Sequence, residues 1–177
     1  ATIKGMSCMR QDVIFSRSAD DHCRLLIPAA IAEELDQFRQ TGGCDLEAGG
    51  LLLGLRRGPH IEVVAITTPM PGDTRSRTSF LRRDPCHFQM AQRLWQESNR
   101  TIGYIGEWHT HPEQQPTPSG IDATEWRKVL RLEKRTTVFV IVGTTNWFVA
   151  RGPVHGVFQI LYPKWELLRE EDRDRQE

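Results

Sequence analysis

The chain has 177 residues, 38% hydrophobic and 26% charged, with 23 Lys and Arg balanced by 23 Asp and Glu. That length supports one domain with its own core, and a formal charge of zero argues against an obligate nucleic-acid coat, a polybasic membrane anchor or an acidic tail protein. The apolar fraction is too high for disorder, and no run approaches the roughly 18 to 20 apolar residues of a membrane span.

In chain order, Val13-Ile14-Phe15 and Arg24-Leu25-Leu26-Ile27 read as short strands, the second stopped by Pro28. Pro28 suits the start of a helix reaching about Gln40, with Ile31, Leu35 and Phe38 on one face. Gly50-Leu51-Leu52-Leu53 reads as a buried strand, and a turn at Arg57-Gly58-Pro59 leads into a strand over Ile61 to Ile66. From Thr67 to Arg83, prolines, a glycine and Arg75, Arg77, Arg82 and Arg83 surround Phe80, marking a long loop of the kind that is commonly functional or mobile. Asp84-Pro85 opens a second helix, with Asp84 as N-cap and Phe88, Ala91, Leu94 and Trp95 as its apolar face. A strand over Thr101 to Trp108, a loop rich in Pro and Gln, and a helix from about Ser119 to Leu132 follow. Strands at Thr136 to Val142, Trp147 to Ala150 and Val157 to Leu161 precede a charged helix or tail from about Pro163. The alternation predicts a single three-layer α/β domain around a mixed, curved β-sheet flanked by helices.

Cys8, Cys23, Cys44 and Cys86 are widely and irregularly spaced with no CxxC pair, which points away from a zinc knuckle or a redox motif. The first ten residues lack a signal-peptide pattern, so free thiols in a reducing cytoplasm are expected.

The chemistry lies in Glu107-Trp108-His109-Thr110-His111-Pro112 and Pro118-Ser119-Gly120-Ile121-Asp122. In an extended segment His109 and His111 project from one face, at a spacing that a tetrahedral metal bridges. Ser119 suits a helix N-cap, and Asp122 falls in the first turn, where a folded loop could return it to the imidazoles. Two neutral imidazoles and one carboxylate leave a position open for water, as in catalytic rather than structural metal sites. Each part also has a plainer reading: polar surface for the histidines, and a capping box alone for Ser119 and Asp122. Upstream, Glu47-Ala48-Gly49-Gly50-Leu51-Leu52-Leu53-Gly54 sets a glutamate at the entrance to a glycine-framed apolar strand. Burial there raises a carboxylate's pKa toward neutrality, whereas an exposed loop glutamate is the plainer alternative. Glu107 shares the side of His109 and His111 and reads as a supporting or surface charge, while Trp108 and Trp126 read as core. His60 and His87 have no partner spacing and read as ordinary surface or core histidines.

Taken together, Glu…His-Thr-His-Pro-x6-Ser-x2-Asp with glutamate in E-x-x-G-x-L-x-G resembles the JAMM (JAB1/MPN+) zinc metallopeptidases, isopeptidases that remove ubiquitin or ubiquitin-like modifiers. Every signature position is occupied: Glu47, Gly50, Leu52, Gly54, His109, His111, Pro112, Ser119 and Asp122, with Thr110 where serine is also frequent. The likeness in order of elements covers roughly residues 12 to 162. The short form and the phrase Gly-Glu-Trp-His-Thr-His-Pro are most similar to bacterial stand-alone JAB-domain deconjugating peptidases of CBASS and ubiquitin-like anti-phage operons.

The resemblance implies one MPN/JAB-like, cytidine-deaminase-like domain over residues 1–177, with a core at about 12–162 and a charged tail at 163–177. It implies one Zn2+ per chain held by His109, His111 and Asp122, Glu47 as general base and Ser119 as oxyanion donor. The substrate it implies is the C-terminal tail of a ubiquitin-like protein or a conjugated target, bound as an extended strand. Activating- and conjugating-enzyme-like operon proteins would be the partners, in the cytoplasm, without membrane or nucleic acid. The Thr67 to Arg83 loop stands at the family's first insertion, and Gly143 to Gly156, with exposed-looking Trp147 and Phe148, lies near the second. Arg77, Phe80, Arg82 and Trp147 are the candidate substrate contacts; Arg75, Arg77, Arg82 and Arg83 either meet an acidic face of the modifier or target or belong to a solvated loop. The alternatives are a non-catalytic JAB-like scaffold or nucleic-acid-associated domain, supported by arginine clustering alone, and a peptidase processing a sulfur-carrier precursor.

Overall fold

The run Val138-Phe139-Val140-Ile141-Val142 is buried on both sides, and its alternation divides the core in two. Val138, Val140 and Val142 pack on one side with Trp108, Leu52 and the helical residues Ile31, Ala32 and Leu35. Phe139 and Ile141 pack on the other with Trp126, Val129 and Leu130. A strand with no polar face needs helices on both sides, which gives the expected three layers.

In the computed structural model, which describes residues 11–154 and 157–174, the elements run as follows. Strands β1 (Val13–Ser16) and β2 (Leu25–Ile27) precede helix α1 (Ala29–Asp36), then β3 (Gly49–Arg57) and β4 (His60–Ile66). A hairpin of β5 (Thr74–Ser76) and β6 (Ser79–Leu81) leads to α2 (Cys86–Glu97), β7 (Gly103–Thr110), α3 (Gly120–Leu132) and β8 (Thr137–Val142). The chain continues through β9 (Trp147–Val154), β10 (Val157–Ile160), β11 (Tyr162–Pro163) and α4 (Lys164–Asp174). Among the described residues, nine strands form one sheet in the order β10-β9-β8-β7-β3-β4-β2-β1-β11. It is antiparallel except at β7/β8 and β2/β4, so the sheet is mixed. The β7-α3-β8 crossover lays α3 on the face of Phe139 and Ile141 and starts it near the end of β7.

Several expectations shift. α1 stops at Asp36 instead of Gln40, because Gln40 turns inward. Its Nε2 donates to the carbonyls of Asp45 and Arg77 at 3.2 and 2.8 Å. The Thr67 to Arg83 loop contains the β5–β6 hairpin and is pinned at its base. Asp73 accepts the backbone N–H groups of Met70, Arg83 and Asp84 and contacts His87 Nε2 at 2.9 Å. His87 Nδ1 lies 2.6 Å from Thr67 Oγ1, which accepts the Leu51 N–H of β3. His87 is fully buried, so α2 turns His87, Met90, Ala91 and Leu94 inward and leaves Phe88 and Trp95 exposed. Asp84 still caps that helix, its Oδ1 accepting the Cys86 N–H at 2.9 Å. β7 runs two residues further than the hydrophobic pattern alone marks and so carries His109.

Trp147 is not a surface residue of the second loop. It stacks on Phe15 at 6.3 Å between ring centroids, donates from Nε1 to Asp36 Oδ1 and packs against the α1-side core. The segment from Pro163 forms part of β11 and then α4, which packs on β1. Cys23, Cys44 and Cys86 are free thiols, and Cys8 lies outside the described residues. No helix among the described residues is long and apolar enough to cross a membrane.

β3 reaches its neighbours only because its glycines leave room. A Cβ on Gly50 would lie 1.9 Å from the Thr67 carbonyl oxygen. Gly50→Ala is expected to lower stability by about 3 kcal/mol, the upper end of ordinary overpacking costs, seen as a lower urea midpoint at unchanged slope. Asp73 has a pKa lowered to about 2, because its hydrogen bonds to backbone N–H groups and His87 outweigh burial, which alone would raise it. A depressed folded pKa stabilises above the unfolded value near 3.9 and is lost as pH falls through the folded value. Asp73→Asn is therefore expected to be less stable than the parent near neutrality by about 1–3 kcal/mol, with the gap closing toward pH 2 in denaturant titrations.

Candidate metal centre and active site

Alternation along the end of β7 sorts its side chains. Trp108 and Thr110 are buried on the α1 side, where Trp108 meets Phe38 at 5.4 Å between ring centroids. His109 turns to the α3 side near Trp126, and His111, just past the strand, remains tied to β8 through its N–H to Val142 O. The two imidazoles converge, with Nε2 to Nε2 at 3.1 Å.

The α3 N-terminus brings the carboxylate. Ser119 Oγ accepts the Asp122 N–H at 3.1 Å and Asp122 Oδ2 accepts the Ser119 N–H at 2.6 Å, a reciprocal capping box. The same carboxylate faces the histidines, Oδ1 lying 3.3 Å from His109 Nε2 and Oδ2 3.4 Å from His111 Nε2. Capping and facing the imidazoles are thus compatible roles for one side chain.

Glu47 approaches from β3. Its backbone N–H donates to Ser76 O at 2.7 Å, and Arg75 Nε donates to its carbonyl at 2.7 Å, so β5 grips it on one side. On the other, Thr110 N–H donates to Ala48 O, and Thr110 Oγ1 accepts the Ala48 N–H while donating to Gln40 Oε1. The side chain is 6% exposed. Ligand-type atoms of Glu47, His109 and His111 all lie within 4.8 Å of one another.

The electrostatics follow from burial and close charges. Burial pushes Glu47 up to about 7, partly countered by His111 and reinforced by Asp122. Burial alone would raise Asp122, yet His109, His111 and Ser119 hold it well below the usual carboxylate range. Burial alone would lower His111, yet Asp122, Glu47 and Glu113 raise it.

The donor set passes a simple geometric test for a metal. Two atoms about 2.0–2.1 Å from one ion at the tetrahedral angle lie about 3.3–3.4 Å apart. The Nε2 atoms of His109 and His111, 3.1 Å apart, come close to such an edge, and Asp122 turns one oxygen to each imidazole, Oδ1 to His109 at 3.3 Å and Oδ2 to His111 at 3.4 Å. Glu47 stands beside the imidazoles, its carboxylate within 4.8 Å of their ring nitrogens.

Glu47, His109, His111, Ser119 and Asp122 line one cleft of about 610 Å³, and Phe80 and Arg82 form part of its wall. The Phe80 ring fills the space in front of Gly49. Arg82 pairs with Glu107 at 2.7 Å and its guanidinium lies over the exposed Phe88 ring at 5.1 Å. Arg77 lies outside the cleft lining, bonded through Nη1 to the carbonyls of Gly42 and Gly43 at 2.9 and 2.6 Å. Trp147 is outside it as well, on the α1 side. Sequence reasoning missed Gln40, Arg75 and the Thr110 hydroxyl, which set the Glu47 backbone. Only Thr110 carried a signal, as a polar residue at an inward strand position.

Thr110→Val is expected to leave the Ala48 N–H and Gln40 Oε1 buried without their partner, costing about 1–3 kcal/mol. Metal uptake should be unchanged while cleavage falls, which denaturation, metal analysis and a peptidase assay separate.

Residues 30–152, well over half of the chain, match the profile of a family described as prokaryotic homologs of the JAB domain. A protein of Pseudomonas aeruginosa (strain BWHPSA011 / Pa011) named CD-NTase/cGAS isopeptidase is 39% identical over 151 residues, 84% of this chain and 96% of its own. A protein of the same name from Escherichia coli (strain TW11681) is 40% identical over 140 residues, covering 79% of this chain and 88% of its own. A Sinorhizobium fredii protein named "Probable metalloprotease y4qB" is 30% identical over 112 residues, 58% of this chain and 67% of its own. With Glu47, His109, His111, Ser119 and Asp122 in one cleft, the chain belongs to the prokaryotic JAB-domain branch of the JAMM metallopeptidases and is a hydrolytic peptidase.

Proposed function

We propose that the chain is a zinc-dependent isopeptidase that cleaves after the C-terminal tail of a ubiquitin-like modifier or a conjugated protein, in the cytoplasm, within a bacterial anti-phage conjugation system of the CBASS kind. The observation that carries this reading is the convergence of the His109 and His111 Nε2 atoms on the Asp122 carboxylate, all within 3.4 Å of a neighbour, beside the buried Glu47. The names of the relatives favour a conjugated CD-NTase or cGAS-like protein as the substrate, with activating- and conjugating-enzyme-like proteins as operon partners.

His109 and His111 through Nε2, and Asp122 through its carboxylate, would hold one Zn2+, with Glu47 left for proton transfer. Such an ion would supply Lewis acidity and lower the pKa of water from about 15.7 toward 7. Burial raises the Glu47 carboxyl and a bound cation would lower it again, and the group stands where it can take a proton from water and return it to the leaving amine nitrogen. Water adds to the carbonyl carbon, the C–N bond breaks, and a carboxylate and a free amine result. Ser119 Oγ accepts from Asp122 N–H, which leaves its own O–H to donate to the carbonyl oxygen as charge develops there.

The substrate tail fits between β6 and the first turns of α3. Among the described residues β6 pairs only with β5, so its other edge offers backbone groups to an extended strand. Phe80 and Ile121 line the passage.

Metal analysis is expected to give one zinc per chain, lost in Asp122→Ala and retained in Glu47→Gln. Glu47→Gln should lower cleavage of a modifier or CD-NTase fused to a reporter by about 10²-fold or more, and Ser119→Ala by about 10²- to 10³-fold. Chelation should abolish cleavage and zinc restore it. Full activity in Asp122→Ala or Glu47→Gln refutes the assignment.

A further inference from the structure

The other end of β7 carries a second cavity. It measures about 630 Å³, within the range of small-ligand sites, and is formed by the end of β3, the start of β7 and the segment that follows α2. Arg56, Arg57, Arg100 and Arg135 line it together with Trp95 and Tyr104, and no carboxylate does. In a chain whose formal charge is zero, four guanidiniums around one hollow are a strong local excess.

Little of that charge is neutralised from within. Arg57 pairs with Glu62 at 2.9 Å, and Arg56 donates from Nη1 to Thr136 O at 2.7 Å. Among the described residues no carboxylate makes an ion pair with Arg56, Arg100 or Arg135. Burial and the nearby positive charge of Arg135 both disfavour the charged form of Arg56, while Glu133 and Tyr104 offset this in part. Glu133 does not line the hollow. Like charges on a shared, partly desolvated wall repel, and an anion between them relieves the repulsion.

The backbone at the rim is unusual too. Asn99 and Arg100 have φ of 53° and 65°, the left-handed region that non-glycine residues rarely adopt. The Arg100 N–H donates to Trp95 O at 2.7 Å, closing the end of α2. The Arg100 guanidinium then sits over the Trp95 ring at 5.1 Å from its centroid, and the indole remains 40% exposed. One wall therefore offers a flat guanidinium-indole surface beside clustered cationic donors.

We propose that this cavity is a second binding site, for a nucleoside polyphosphate, with Arg56, Arg100 and Arg135 on the phosphates and the Trp95 wall on the base. Guanidiniums meet phosphate oxygens with paired N–H donors, and aromatic and guanidinium faces accept a base by stacking. The convergence of the arginines on one hollow favours a compact ligand over a nucleic-acid strand, which calls for a basic track along a surface. The site lies at the opposite end of β7 from His109 and does not depend on the proposed metal.

The test is calorimetric titration of the full chain with ATP, inorganic pyrophosphate and a single-stranded DNA oligonucleotide, with magnesium in excess. ATP is expected to bind about tenfold more tightly than pyrophosphate, through the added stacking of its base. Arg100→Ala combined with Arg135→Ala, both exposed positions, should weaken both ligands about tenfold or more. Trp95→Leu should remove the preference for ATP while pyrophosphate still binds. The proposal is overturned if neither ligand binds at millimolar concentration, if the double arginine variant binds as the parent does, or if the oligonucleotide binds more tightly than ATP.

Discussion

The register of β3 against β7 is the constraint on which the site depends. Gly49 stands opposite His109 and Gly50 opposite Trp108. A slip of one residue would turn His109 into the α1-side core and Trp108 into the cleft, because side chains alternate along a strand. Two bonds hold the end of this pairing: Thr110 N–H to Ala48 O at 2.8 Å and Ala48 N–H to Thr110 Oγ1 at 3.0 Å. The hydroxyl matters because it satisfies the donor next to Glu47 and locks the glutamate beside His111. Glycine is required here for space: the Phe80 ring and the Trp108 carbonyl occupy the place a side chain on Gly49 would take.

The second support is the start of α3. A carboxylate in the first turn of a helix is favoured by the unpaired N–H groups and the dipole there. Asp122 uses that setting to fix its own position and still presents both oxygens to the histidines. Strand end and helix end are both joined to the same sheet, so the imidazoles and the carboxylate meet without relying on a loop. The hairpin that walls the cleft is fastened to β3 as well, through Asp73, His87, Thr67 and the Leu51 N–H. That wall is therefore tied to the strand that follows Glu47.

What could be read from the sequence is what local rules govern. The alternation of His109 and His111, the Ser119–Asp122 cap and the doubly buried β8 all follow from spacing within a few residues, and the structure contains each. Contacts made across the chain were not legible. Trp147 looked exposed because nothing nearby covers it, yet its partners are Phe15 and Asp36, the latter 111 residues away in sequence. On α2 Ala91 and Leu94 turn inward as their spacing suggests, but Phe88 and Trp95 do not, although Phe88 outranks His87 in hydrophobicity. Buried polar partners at Thr67 and Asp73 reversed that order. Gln40 carried no signal at all, since a buried glutamine is recognisable only once the carbonyls it satisfies are in place.

The arginines of the Thr67 to Arg83 loop show how a cluster of charge differs from a charged surface. Arg75 and Arg77 spend their donors on the carbonyls of Leu46, Glu47, Gly42 and Gly43, and Arg82 is neutralised by Glu107. A loop without regular pairing leaves carbonyls that need donors, and guanidiniums reach several at once. These side chains therefore brace the loop, and on the cleft wall Leu81 and Ile121, 46 and 74% exposed, stand beside Arg82 and Arg83. At the far end of β7 Arg56, Arg100 and Arg135 instead share one hollow that no carboxylate lines, so a zero net charge conceals a local excess.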